Sequence, residues 1–344
     1  MKILYALQGT GNGHVARSRE IIPILQKYGQ VDVLISGTQI DLQPPCEVTY
    51  HKYGLSFDFD LKGGIGYRKS IANARPDKFI KDVLQFPIKQ YDLVINDFEP
   101  VVAWAARLRK KPFVSMGHQV SYLSQKTPRP AKIDRFGEFI LNNFVPETPS
   151  LIGFHFETYD NFVYTPVIRG EVRNALVTNK GHYTVYLPAY HERYFINHLK
   201  KIKSIRWEVF SKHTKSSYSD ENVFVSPLNN EGFIESLTSC EGLLNGGGFE
   251  APAEALFLGK KVLVIPMKGQ YEQQCNAAAI AQLGVPMLKE IGANFVQELE
   301  AWISSNKYIS VNYEDQTAEI IEKIIDEHCY NVKHSPAFDM INQV

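Results

Sequence analysis

The sequence predicts an α/β protein made of two doubly wound halves, each a parallel sheet with helices on both faces. Three observations carry that prediction. Short apolar runs alternate with stretches of helical apolar spacing from the first residues onward. The same alternation starts afresh after a proline-bearing stretch, Pro166 to Arg173, which reads as the linker. Each half also has a glycine-rich turn where an apolar run meets a helix, QGTGNG at Gln8–Gly13 and NGGG at Asn245–Gly248. At 344 residues the chain is long enough to divide into two cores.

KILYAL is short, apolar throughout and followed by glycines, as a strand buried on both faces is before a tight turn. HVARSREIIPILQKYG spaces Val15, Ile21, Ile22 and Leu25 at near-helical intervals and stops at Gly29. VDVLISG is the next strand, and YDLVIND a later one, apolar until Asp97. EPVVAWAARLRK reads as a helix and KPFVSMGHQ as strand plus loop. Between Asp58 and Lys89 the pattern is irregular, and GGIGYRK within it reads as a ligand-contacting loop. In the second half, HYTVYLP, RWEVFS, NVFVSPL, EGLLNGGG and KVLVIPM read as strands. HERYFINHLKKI, GFIESLTSC and EAPAEALFLG read as helices, and a last helix spans Thr317 to Cys329. The expected domains are 1–168 and 169–320, with a helix and tail, 321–344, for which the first domain is the expected packing surface.

Composition excludes several classes. Lys plus Arg and Asp plus Glu both number 37, so no global field recruits nucleic acid or an anionic membrane. The basic runs RLRKKP and HLKKIK read as solvated helix ends. Four scattered cysteines form no CxxC pair, which argues against a zinc site or disulfide framework and suits a reducing cytoplasm. Neither a signal peptide nor an apolar run of ~18 residues is present. The expected location is cytoplasmic, with peripheral contact at the inner membrane face as the furthest departure from it.

The strongest chemical signal lies in LLNGGGFEAPAEALFLGKKVLVIPMKGQYEQQCNAAAIAQLG. Gly246, Gly247 and Gly248 follow a strand and precede a helix, so backbone N–H groups can approach an anion at the helix's positive end. Glu254, one to two turns into that helix, can accept two hydrogen bonds from a ribose diol. Gln273 and Gln274 follow the next strand, at the edge where open α/β sheets bind ligands, and offer both donors and acceptors to sugar hydroxyls. This stretch resembles the nucleotide-sugar signature of GT-B glycosyltransferases. The nearest groups are the UDP-glycosyltransferases and the N-acetylglucosaminyltransferase of peptidoglycan synthesis. The shared pattern is a glycine-containing turn, an acidic residue five positions before a glycine (Glu254, Gly259), an apolar strand to proline and a Gln-bearing polar loop. The resemblance departs in lacking the opening tryptophan of the plant members and in having Glu272 where the peptidoglycan enzyme has a basic residue.

The resemblance implies a GT-B fold, two facing Rossmann-like domains with an interdomain cleft. It assigns ribose to Glu254, diphosphate to Gly246–Gly248, donor sugar to Gln273 and Gln274, and the nucleotide base to the loop around Ser226–Phe233. Sugar transfer needs a base for the acceptor hydroxyl, and a neutral histidine oriented by a carboxylate suits the role. His14, at the start of the first helix, and Asp97, ending a strand at the same sheet rim, are the expected catalytic pair. Gly11, Asn12 and Gly13 are expected to form the cleft loop near the diphosphate, and His118 to line the acceptor cleft. QGTGNGHVARSRE does not complete a dinucleotide fingerprint, because His14 takes the place of the third glycine and no acidic residue closes VDVLISG.

The expectation is an inverting, metal-independent transfer from a UDP-type sugar to a hydroxyl acceptor, with a cell-envelope or lipid-linked acceptor as the form that suits a peripheral enzyme. The nucleotide sugar is a substrate, and no cofactor or metal is expected. Two alternatives remain: a UDP-sugar 2-epimerase of the same fold, using acidic residues such as Glu272, Asp97 and Glu99, and a non-catalytic nucleotide-sugar-binding protein.

Overall fold

Residues 1–37, 44–55 and 75–330 are described by the structure, a computed structural model. GGIGYRK, expected to contact ligands, lies outside the described residues.

The apolar runs pair into two sheets. In the first lobe β1 (Lys2–Gln8) is central, and Ile3 to Leu7 have no exposed surface, as expected of a strand covered on both faces. Beside it lie β2 (Gln30–Ser36) and β3 (Tyr50–Lys52) on one side. On the other side are β4 (Leu93–Asp97), β5 (Val114–Gly117), β6 (Ser150–Phe154) and β7 (Val163–Tyr164). The order is β3-β2-β1-β4-β5-β6-β7, and every pairing is parallel. Helices α1 (Asn12–Leu25), α2 (Pro76–Gln85), α3 (Pro100–Leu108) and α4 (Arg135–Asn143) belong to this lobe. The short α5 (Gly170–Arg173) begins the passage to the second.

The second lobe contains β8 (Tyr183–Tyr186), β9 (Trp207–Ser211), β10 (Tyr218–Asp220), β11 (Val223–Pro227), β12 (Gly242–Asn245) and β13 (Lys261–Val264). Their order is β10-β11-β9-β8-β12-β13, parallel except for the β10–β11 edge hairpin. Its helices are α6 (Ile196–Leu199), α7 (Asn230–Ser239), α8 (Glu250–Phe257), α9 (Tyr271–Gln282) and α10 (Phe295–Ser304). The last helix, α11 (Thr317–Ile325), lies against α1; beyond it His328 Nε2 is 2.8 Å from Ser150 Oγ.

Strand order reverses between β1 and β4 in the first sheet and between β8 and β12 in the second. At such switch points adjacent connections leave to opposite faces and open a crevice at the carboxyl edge. One apolar cluster joins the lobes, running from Val15 and Phe154 through Phe249 and Ala253 to Val262.

Four details differ from the sequence reading. YEQQCNA is the first half of α9 rather than a loop. HERYFINHLKKI is broken into a 3-10 turn, Glu192–Tyr194, and the four-residue α6. The irregular stretch ends in α2, where Pro76 sits at the helix start and Asp77 in its first turn. Helix α4 was not anticipated; none of its residues is buried, so apolar periodicity toward a core does not announce it. Among the described residues no helix is long and apolar enough to cross a membrane.

Candidate active site

A cavity of about 640 Å3 opens between the lobes, within the range of small-molecule sites. The turn after β1, the residue after β4, α4, the turn after β12 and the start of α9 all reach it.

His14 forms part of the cavity wall, two residues into α1. Asp97 ends β4 beneath it with no exposure. His14 Nδ1 and Asp97 Oδ1 are 2.8 Å apart. A carboxylate only accepts, so Nδ1 carries the proton and Nε2 holds the lone pair. Asp97 also accepts from Tyr5 OH at 3.1 Å, and from Arg17, whose Nη2 is 2.8 Å from Oδ1 and whose Nε is 3.1 Å from Oδ2. Burial alone would raise the Asp97 carboxyl, but Arg17 and His14 overcome it and hold the group at about 2. Tyr5, buried against that carboxylate, is pushed well up and stays a neutral donor.

Arg17 was not singled out from the sequence. It is 2% exposed, and its Nη1 donates to Glu250 Oε1 across the cleft at 2.6 Å. The signal was helical spacing: three residues after His14, Arg17 shares its helix face.

Residue Phe98, directly after Asp97, has φ 57°, a left-handed conformation that costs energy in a bulky residue. The bend turns the chain into α3 and leaves Phe98 on the cavity, stacked on Phe144 at 4.9 Å. Glu99 caps α3, its two oxygens accepting from Val101 N and Val102 N at 2.8 and 2.7 Å. Burial pushes Glu99 up to about 7, against those hydrogen bonds. Glu99 is absent from the cavity wall, so the epimerase alternative loses one of its carboxylates, and Asp97 is already committed to Arg17.

A family-wide sequence model described as glycosyl transferase family 1 matches residues 1–303. The chain belongs to that glycosyltransferase family. Among curated proteins none matches it. Solved structures share its architecture at low identity. The Arabidopsis thaliana UGT89C1 complexed with UDP has TM-score 0.57 at 11% identity, covering 94% of each chain. The glycotransferase of kitacinnamycin has TM-score 0.54 at 14% identity, covering 99% of this chain and 98% of that one. The glycosyltransferase VinC in complex with DTDP has TM-score 0.51 at 15% identity, covering 95% and 96%. The two facing sheets are thus a GT-B fold.

In the second lobe of this glycosyltransferase, the turn Gly246–Gly248 joins β12 to α8 at the switch point beside β8. Gly247 has φ +78°, a conformation that favours glycine, and a Cβ there would crowd Pro266 Cα at 3.1 Å. Gly246 and Gly248 reach the cavity; Gly247 instead accepts through its carbonyl from Asn276 Nδ2 at 3.2 Å.

Glu254 faces the cavity but already has a partner. Its Oε1 and Oε2 each accept from Arg169 at 2.6 Å, in a two-pronged pair buried on both sides. Arg169, just before α5, also donates to Asn230 Oδ1 at 2.5 Å, tying the interlobe passage to the first residue of α7. Each Glu254 oxygen keeps a second lone pair. The expected base-binding stretch does contribute to the wall, through Leu228, Asn229, Asn230 and Phe233.

The two glutamines separate. Successive helix residues turn by about 100°, so when YEQQCNA becomes α9 one of the pair is carried off the cleft. Gln273 remains on the wall, its Oε1 accepting from Met267 N at 3.0 Å; Gln274 is not on it. Glu272, named for the epimerase alternative, is on the wall, and Gln270 takes a place there that the sequence reading did not give it.

His118 reaches the cavity from the segment after β5, but its ring is occupied. Nδ1 is 2.9 Å from the Phe154 carbonyl, and Nε2 is 2.7 Å from Asn276 Oδ1 and 2.9 Å from Tyr122 OH. The ring stacks on Phe249 of the second lobe with centroids 3.9 Å apart. Burial lowers its pKa, so it stays neutral. Its observed work is interlobe packing. Gly11, Asn12 and Gly13 all line the cavity, and Asn12 Nδ2 is 3.4 Å from Tyr186 OH of the second lobe.

Proposed function

We propose that this glycosyltransferase moves a sugar from a UDP-type nucleotide sugar to an acceptor hydroxyl by direct displacement with inversion. The observation that carries the proposal is the 2.8 Å contact between His14 and Asp97 on the wall of a cavity shared by both lobes. His14 Nε2 takes the hydroxyl proton as the acceptor oxygen bonds to the anomeric carbon. The bond from that carbon to the diphosphate oxygen breaks with its electron pair, and the nucleoside diphosphate leaves. Asp97 holds the ring in the reactive tautomer and stabilises the imidazolium that forms.

The leaving diphosphate belongs at the Gly246–Gly248 turn, where backbone N–H groups and the positive end of α8 favour it without a metal. Glu254 offers its remaining lone pairs to the ribose diol, and Gln273 lies near the donor sugar. The structural relatives support this donor class, since UGT89C1 is complexed with UDP and VinC with DTDP. On the acceptor side, Phe98, Ile140, Leu141 and Phe144 make the wall apolar, which suits an acceptor with a hydrocarbon portion. The adjacent face of α4 exposes Phe136 (58%) and Phe139 (63%), and Lys126, Lys132 and Arg135 are exposed in the same stretch of the sequence. We read this face as a peripheral contact with an anionic membrane that carries the acceptor.

His14→Ala tests the catalytic part. Loss of the base lowers transfer by about 10²–10⁴-fold, while thermal stabilisation by UDP persists. Loss of the stabilisation as well would recast His14 as a binding or structural residue. Incubating UDP-sugars without acceptor checks the epimerase alternative, in which the donor itself is converted.

A further inference from the structure

The His14–Asp97 pair lies wholly in the first lobe, yet its charge balance does not. Asp97 is neutralised by Arg17, which donates to both of its oxygens. Arg17 Nη2 also comes within 3.3 Å of His14 Nδ1. That guanidinium therefore sits beside both members of the pair. The remaining negative charge is Glu250, bound to Arg17 Nη1 at 2.6 Å. Glu250 is the first residue of α8 and comes from the second lobe, two positions behind the glycine turn.

A separate observation shows room kept for that carboxylate. A Cβ at Gly13 would stand 2.3 Å from Glu250 Oε2. Gly13, from the loop expected to face the diphosphate, therefore leaves the gap through which Glu250 reaches Arg17.

We propose that Glu250 is a positioning residue that couples lobe closure to base strength: by pairing with Arg17 across the cleft, it lets His14 become a strong base only when the lobes meet. The proposal rests on the reading of His14 as the base. With the lobes apart, Arg17 cancels Asp97 and the imidazole has no net negative neighbour. Closure delivers Glu250 together with the donor-binding turn, so the base gains strength as water is excluded. The titratable groups around His14 are Tyr5 from β1, Asp97 from β4, Arg17 on its own helix and Glu250 from α8. His118 and Glu272 line the same cavity, the first held neutral by burial and the second bonded by Gln119.

The test is an NMR titration of the His14 ring in the full chain, its signal assigned by its loss in His14→Asn. Glu250→Gln should lower the midpoint. Glu250→Asp keeps the charge and should recover most of that shift. Gly13→Ala, which displaces the carboxylate without removing it, should move the midpoint in the same direction by less. An unchanged midpoint in folded Glu250→Gln overturns the proposal, as does an equal drop for the Gln and Asp variants. Should Glu250→Gln not fold, the absence of a shift in Gly13→Ala overturns it instead. No turnover is needed, so the two readings fail separately. Transfer surviving in His14→Ala would remove the base. Transfer lost there with an unmoved Glu250→Gln midpoint would remove only the coupling.

Discussion

Asp97 holds three side-chain partners on two oxygens while fully buried, and its ionisation is accordingly tied to stability. Its folded pKa of about 2 lies below the ordinary carboxylate value of 3.8. The sign follows: the stabilisation is complete above pH 4 and is lost as pH falls from about 4 to about 2, amounting to about 2 kcal/mol. Denaturant unfolding across that window should show the loss in the wild type. Asp97→Asn leaves the buried Arg17 with Glu250 as its ion-pair partner and should cost about 1–3 kcal/mol at neutral pH, with the slope in that window reduced. A variant as stable as the wild type would contradict the network. His14 and Asp97 could be singled out from sequence because one follows the glycine turn after an apolar strand and the other ends such a strand, at the rim where parallel sheets present functional groups. Glu250 could not: it looks like an ordinary acidic residue in the first turn of a helix, and its partner is 233 positions away.

At the scale of elements, α4 is the segment whose two faces do different work. Ile140 and Leu141 reach the cavity while Phe136 and Phe139 face outward. Phe136→Ser with Phe139→Ser should reduce sedimentation with anionic vesicles several-fold while leaving the melting temperature within a few degrees, since neither ring is buried. Unchanged sedimentation would leave α4 an ordinary surface helix. The helix escaped the sequence reading because its apolar residues do not mark a core face. Element α9 shows the opposite error: its polar first turn, YEQQ, reads as loop, yet Tyr271, Cys275 and Ala279 behind it are buried at helical spacing.

For the molecule as a whole, two features knit the lobes. Helix α11 buries Ile320, Ile321, Ile324 and Ile325 and lies against α1, the helix that carries His14. Ending the chain at Gln316 removes those side chains, each contributing about 1.5–3 kcal/mol. The truncated protein should melt many degrees lower, and a small change would mean that α11 is peripheral to the fold. The Arg169–Glu254 pair joins the interlobe passage to α8. Arg169→Ala leaves a buried carboxylate without its fork and should cost about 3–5 kcal/mol. In circular dichroism melting it should fall well below the wild type, and UDP should stabilise it less if Glu254 binds the ribose.

The alternation of strand and helix, the two glycine turns and a strand-end aspartate were written locally, in periodicity and punctuation, whereas the pairing of His14 with Asp97 was implied by the family resemblance. Short-range patterns of this kind record which face a residue buries and where a strand stops. They carry no information on which distant charge will meet it. Only the tertiary structure decided that Arg17 stands between Asp97 and Glu250, that Glu254 is held by Arg169, and that Gln274 turns away from the cleft. Each of these depends on the relative placement of elements far apart in the chain, where burial strengthens electrostatic contacts that no local pattern specifies.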